Sequence, residues 1–139
     1  MPTLNWIGKD KVVNHHQEVP YKVLEHKFGV REGMETAEET NSGNLIIHGD
    51  NLEALKSLLP IYQGKVNCIY IDPPYNTGEE AWEYNDNVND SKIKEWLGVA
   101  VGQEGEDLTR HDKWLCMMYP RLRLLYKLLS CDGAIFVSL

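Results

Sequence analysis

Residues 45–75, LIIHGDNLEALKSLLPIYQGKVNCIYIDPPY, decide the fold. Leu45-Ile46-Ile47-His48 is a short apolar run rich in β-branched residues and closed by Gly49-Asp50, which predicts a strand. Asn51 is suited to cap the segment that follows, where Leu52, Leu55, Leu58 and Leu59 fall on one helical face until Pro60 stops it. After a turn through Gly64, Val66-Asn67-Cys68-Ile69-Tyr70-Ile71 reads as a buried strand ending at Asp72. A strand, a helix of about three turns and a second strand predict a right-handed βαβ unit, in a parallel sheet covered on both faces.

Downstream, residues 76–111 are polar and carry Gly78, Gly98, Gly102 and Gly105; a loop this long in a compact domain is disordered or functional. One short helix is expected from Ser91, a good N-cap, to Leu97. Leu115, Met118, Leu122, Leu125 and Leu129 then recur at spacings of 3, 4, 3 and 4, an amphipathic helix. Pro120 lies inside it and either kinks it or opens a second helix. Cys131-Asp132-Gly133 is expected to end the helix, with Gly133 at the left-handed C-cap position. Ala134-Ile135-Phe136-Val137-Ser138-Leu139 reads as a third strand, and a chain that stops inside a core strand is expected to be a piece of a longer protein. Upstream, residues 1–30 have no clean period and read as an irregular arm with at most one short element. Residues 31–44, REGMETAEETNSGN, hold four glutamates against one arginine and read as a linker or solvated loop. The expected division is an arm and acidic linker over 1–43 and part of a catalytic domain over 44–139.

Composition narrows the classes. The 139 residues are 42% hydrophobic and 25% charged, which is globular usage. No apolar run approaches the roughly 18 residues of a membrane span, and the N-terminus lacks a secretory apolar core. Cys68, Cys116 and Cys131 are scattered and odd in number, which suits a reducing cytoplasm and argues against a disulfide framework or a zinc knuckle. A net charge of -7 argues against this segment alone gripping a phosphate backbone.

Asp72-Pro73-Pro74-Tyr75 stands just past the carboxyl end of a predicted parallel strand, the edge at which open α/β sheets bind ligands. These residue types are suited to holding a planar amino group while its nitrogen attacks an electrophile. The Asp72 carboxylate can accept one N–H and the Pro73 carbonyl the other, because consecutive prolines stiffen the backbone and keep it out of a helix. Two acceptors on one NH2 localise its lone pair, and the Tyr75 ring offers a face on which a heterocycle can stack, worth about 1–3 kcal/mol per base. A rigid turn capped by Asp explains Asp72 and one proline, but not the second proline, the tyrosine or the apolar strand leading into them.

Asp72-Pro73-Pro74-Tyr75-Asn76-Thr77-Gly78 resembles the catalytic motif of β-type adenine-specific DNA methyltransferases, including the modification subunits of type III restriction–modification systems. Segment 44–52 is similar to that family's strand-and-turn before the motif, 82–98 and 110–122 to its intervening loop, and 133–138 to its following strand. The resemblance implies an α/β fold, an incomplete Rossmann-like three-layer sandwich, with S-adenosyl-L-methionine as cofactor and no metal. It implies catalytic roles for Asp72, Pro73, Pro74 and Tyr75, stacking of a flipped adenine on Tyr75 beside Asn76, and cofactor contacts from Asp50, Asp72 and Trp114. For Asp50 the alternative is a helix N-cap beside Asn51, and for Trp114 core packing. Implied partners are double-stranded DNA, a restriction subunit and a second copy in a homodimer.

The chain also departs from the family pattern. There is no Gly-rich FxGxG cofactor motif and no target-recognition region. In the family's fold the strand beside the catalytic one comes from that missing half, so the strands present are expected to leave a gap with unpaired edges and exposed apolar faces. The isolated chain is accordingly expected to be catalytically silent. Two other readings stand beside the first: a truncated interaction module without catalysis, and a Mg²⁺-dependent nuclease using Asp50 and Asp72, which has no use for Pro-Pro-Tyr. His15-His16 is expected to be an exposed pair, and Arg110, Lys113, Arg121, Arg123 and Lys127 a solvated helix face. Met117-Met118 reads as core, and the acidic cluster from Glu79 to Asp90 as loop surface.

Overall fold

The computed structural model describes residues 3–73 and 110–138, together with Glu95 and Val99. In chain order the elements are α1 (Lys9–Val12), α2 (His15–Glu18), β1 (Gly29–Arg31), β2 (Met34–Thr36), α3 (Asn51–Tyr62), β3 (Val66–Ile71), α4 (Arg110–Leu128) and β4 (Leu129–Val137). The chain is thus a mixed α/β unit. The helix expected over 91–97 lies outside the described residues except for Glu95, and the acidic cluster at 79–90 lies wholly outside them.

The central unit is β3 running parallel to β4, with α4 returning the chain between them and α3 packed against α4. Val19, Leu52, Leu59, Leu124 and Leu128 form its buried core, joined by Leu55, Leu58, Tyr62 and Val66. Burying each such leucine is worth about 1.5–3 kcal/mol, so the α3–α4 seam is the main source of local stability. The turn after α3 is tied to the end of α4. Gly64 N–H donates to the Lys127 carbonyl at 3.0 Å and Lys65 N–H to the Leu128 carbonyl at 3.1 Å. Two carbonyls with no partner inside their own helix are satisfied in this way, and the start of β3 is fixed against the start of β4.

Both prolines lie inside continuous helices. Pro60 does not stop α3, which runs two residues further to Tyr62; so near the end its missing N–H forfeits a single bond. Pro120 neither divides α4 nor opens a second helix, and the 19-residue helix is continuous around its buried ring. The cap of α3 is Asp50 rather than Asn51: Asp50 Oδ1 accepts from Glu53 N–H at 3.1 Å.

Gly133 is not a C-cap either. It belongs to β4, which begins directly after the helix. Val66 pairs with Leu129 but Cys68 pairs with Ala134, so two steps along β3 face five along β4 and residues 130–133 bulge out. A Cβ at Gly133 would stand 2.8 Å from the Val66 carbonyl oxygen and 2.9 Å from Leu129 Cγ and Cδ1. Glycine is needed there for close approach of two backbones.

The arm is more ordered than its composition suggests. The sequence read as linker contains β2, paired antiparallel with β1 through a two-residue turn at Glu32 (φ 53°) and Gly33 (φ 79°). Two consecutive left-handed residues are the geometry that matches the twist of hairpin strands. The short helices α1 and α2 pack against α4. His15-His16 is not an exposed pair: His16 is 2% exposed, and its Nδ1 has no hydrogen-bond partner among the described residues.

Residues 45–48 form no strand. Leu45 and Ile46 are 63% and 97% exposed, and among the described residues β3 pairs only with β4. A strand needs a neighbour to take its backbone bonds, and none is offered beside this run among the described residues. The expected βαβ unit through 45–48 is therefore incomplete, and the two-stranded sheet is not covered on both faces: Tyr70 and Phe136 are 69% and 58% exposed. Between the run and the core lies an apolar groove of about 270 Å³, lined by Gly43, Leu45, Ile47, Leu58, Tyr62, Val66 and Leu128. Among the described residues no helix is long and apolar enough to cross a membrane.

Candidate active site

The ladder of β3 and β4 delivers the candidate motif. Ile71 pairs with Val137, and Ser138 N–H donates to the Ile71 carbonyl at 3.0 Å, the last backbone bond before Asp72. Beyond it Asp72 is exposed and Pro73 is buried. From below, Met117 and Met118 on α4 pack with Trp114, Leu122 and Ile71. An apolar cushion thus backs the strand end on one side, while Asp72 itself is exposed. Trp114 sits in this cushion, as its core reading expects. Pro74, Tyr75 and Asn76 lie outside the described residues.

Asp50 begins the second group. It follows Gly49, is exposed, and caps α3 through Oδ1. Both roles weighed for it are compatible in principle, since the cap occupies that one oxygen. Arg121 reaches toward it from α4. Its Nε donates to Asn51 Oδ1 at 2.8 Å and its Nη1 to the Met117 carbonyl at 2.6 Å. Burial pulls the guanidinium below its ordinary range, and the Asp50 carboxylate pushes it back up. Arg121 is therefore not part of a solvated face.

Two residues outside the expected set have structural parts in this assembly. One is Arg121. The other is Lys56, buried, whose Nζ donates to the carbonyls of His16 (3.0 Å) and Gln17 (3.1 Å) and stands 4.9 Å from the centre of the Tyr21 ring. Beside it Ser57 Oγ accepts from Lys22 N–H at 2.8 Å, so α3 clamps the arm in two places. A signal for both is present in the sequence. Lys56 falls in register with Leu52 and Leu59, and Arg121 with Met117, Leu124 and Leu125, each a charge on an apolar stripe.

At its other end the arm meets the first turns of α4. Trp6 Nε1 lies 3.3 Å from Cys116 Sγ, Ile7 N–H donates to Asp112 Oδ1 at 3.1 Å, and the Trp6 and Tyr119 rings are 5.5 Å apart. Cys116 is buried, which pushes its thiol pKa up, while Cys68 and Cys131 are exposed.

The strand end thus carries an Asp-Pro step packed against α4 on an α/β unit. Residues 66–139 match the profile of the DNA methylase family, and the chain belongs to that family. It is 38% identical to the type III restriction-modification enzyme EcoPI Mod subunit of Escherichia phage P1 and 36% identical to the EcoP15I Mod subunit of Escherichia coli; each alignment covers 99% of this chain and 22% of the relative. The probable HindVI Mod subunit of Haemophilus influenzae is 40% identical over 81% of this chain and 12% of its own length. The chain thus spans about a fifth of the length of the first two relatives.

Proposed function

We propose that this chain is the catalytic-motif portion of a DNA adenine-N6 methyltransferase of a type III restriction–modification system, with 1–43 as its arm and 44–139 as part of a Rossmann-like catalytic domain. The observation that carries the reading is the delivery of Asp72 and Pro73 at the last bond of a parallel ladder, exposed above and cushioned below. Near-complete alignment of the chain to Mod subunits supports it over a nuclease or a non-catalytic module.

The residues present fit one side of an S-adenosylmethionine site: Asp50 offers an exposed carboxylate, and the Gly-rich turn of the family is not in this sequence. When bound, that cofactor supplies an electrophilic methyl group on a sulfonium. The chain's own part is to hold the amine. Asp72 and the Pro73 carbonyl accept the two N6 protons of a flipped adenine, and Tyr75, with Asn76, supports its ring. The nitrogen lone pair is thereby freed from the ring and aimed at the methyl carbon. With the methyl donor bound, N6 would take the methyl group in a direct displacement, and Asp72 is the group placed to take up the proton that N6 then gives up. Positioning and acceptor electrostatics supply the rate. The partners are double-stranded DNA, a restriction subunit and a second copy, in the cytoplasm.

Replacing Asp72 by Ala in the full-length protein tests the assignment. Loss of one pre-organised partner predicts a fall in methyl transfer of about 10²–10³-fold with the fold retained. Methylation at the parental rate would refute the role of Asp72.

A further inference from the structure

We propose that Arg121 is a positioning residue that holds the Asp50–Asn51 turn at a fixed distance from the Asp72 strand end, and so sets the affinity for the cofactor; the inference rests on the reading of Asp50 as a cofactor contact. The two acidic turns belong to segments that do not pair with each other, because β3 pairs only with β4 and residues 45–48 are unpaired among the described residues. Helix α4 connects them instead. Trp114, Met118 and Arg121 stand four and three residues apart, on one stripe of that helix. At one end of the stripe is the buried Met117–Met118 pair, against which Trp114 and Ile71, the residue before Asp72, both pack. At the other, Arg121 bonds Asn51, the residue after Asp50. A helix of seven residues is about 10 Å of rigid rod, a strut between the two carboxylates.

Arginine suits this post. Its planar fork uses Nε for Asn51 and Nη1 for the Met117 carbonyl at once, so α4's own backbone fixes the direction in which the fork points. A lysine, with a single flexible ammonium, cannot hold both in a plane. The positive charge also lies beside Asp50, whose side-chain oxygens can accept a hydrogen bond from a cofactor hydroxyl or amine. Displacement of a reacting group by about 1 Å can cost about 100-fold, so a strut of this kind bears on catalysis without touching substrate.

The test uses the full-length protein with S-adenosylmethionine and duplex DNA, and four variants: Arg121→Gln, Arg121→Lys, Asn51→Ala and Asp50→Asn. Asparagine caps a helix as well as aspartate does, so Asp50→Asn removes charge and leaves α3 capped. The expected result is a rise of about tenfold in the KM for the cofactor in Arg121→Gln, Asn51→Ala and Asp50→Asn, a smaller rise in Arg121→Lys, and an unchanged KM for DNA. A mere folding defect lowers the active fraction and kcat but leaves the KM of the surviving molecules alone. Asn51→Ala keeps the question open to measurement if Arg121→Gln does not fold. A raised cofactor KM in Asp50→Asn with none in Asn51→Ala and Arg121→Gln overturns the strut and leaves the Asp50 reading standing. An unchanged cofactor KM in Asp50→Asn removes that reading and the strut with it.

Discussion

Substituting Gly133 by alanine probes the register that places Asp72. The backbone at Gly133 is outside the left-handed region, so alanine meets no conformational penalty there, only a steric one. Its methyl group would stand 2.8 Å from the Val66 carbonyl oxygen and 2.9 Å from Leu129 Cγ and Cδ1. The leucine can turn aside, but the carbonyl is part of β3 and yields only if the strand moves. Overpacking of this kind costs about 1–3 kcal/mol. If the cost is local to the β3–β4 ladder, opening becomes about 5- to 150-fold more frequent, since each 1.36 kcal/mol is a factor of ten. Hydrogen exchange followed by mass spectrometry on the full-length protein reads this directly: amides of 67–71 exchange faster by that factor, and those of α3 do not. The double variant Leu129→Ala/Gly133→Ala recovers only part of the protection. Unchanged protection in Gly133→Ala would refute the register, and full recovery in the double variant would assign the crowding to the leucine alone.

Lys56→Met keeps the aliphatic stem but strips two charge-assisted bonds from the His16 and Gln17 carbonyls, each worth about 1.5–3 kcal/mol; limited proteolysis is expected to cut within residues 17–28 far sooner than in the parent. His16 is buried neutral: burial first, then Lys127, Arg123 and Lys56, lower its pKa. Its unfolded form therefore binds the proton more readily. Stability of the docked arm is full above the ordinary histidine value of 6.5 and falls as pH drops below it, by at most about 1.4 kcal/mol per unit. Exchange rates of the arm measured from pH 7.5 to 5.5 and corrected for intrinsic exchange should show that slope, and His16→Leu should flatten it. With its thiol pKa pushed up by burial, Cys116 is expected to resist iodoacetamide at pH 8 while Cys68 and Cys131 react; equal labelling of all three peptides would contradict the burial.

What could be read from the sequence followed from how local each signal is. β3 and the long helix were legible because an apolar run and a 3-4 repeat are properties of neighbouring residues, and the Asp72 motif because it adjoins such a run. The 45–48 run carries the same strand signal, yet the signal says nothing about a partner, and a strand without one stays open. Composition hid the hairpin: four glutamates suggested a solvated linker, while the Glu32-Gly33 step that turns the chain back was the informative pair. Gly133 looked like a helix stop because helix stops and close backbone approaches both select glycine, and only the pairing of Val66 with Leu129 separates them. The link between Arg121 and the Asp50–Asn51 turn needed three dimensions, since the distance between a turn and a helix 70 residues apart is not written in either.

The bare run at 45–48 bears on how such a polypeptide is made. A nascent chain leaving the ribosome at about 5–20 residues per second exposes this adhesive backbone as soon as it emerges. Through that interval Ile46 and its neighbours are a docking template for whatever extended peptide arrives first, including the same run on the next molecule of a polysome. Non-local strand pairing is slow, so the yield of active protein would depend on how well a chaperone keeps those few residues covered.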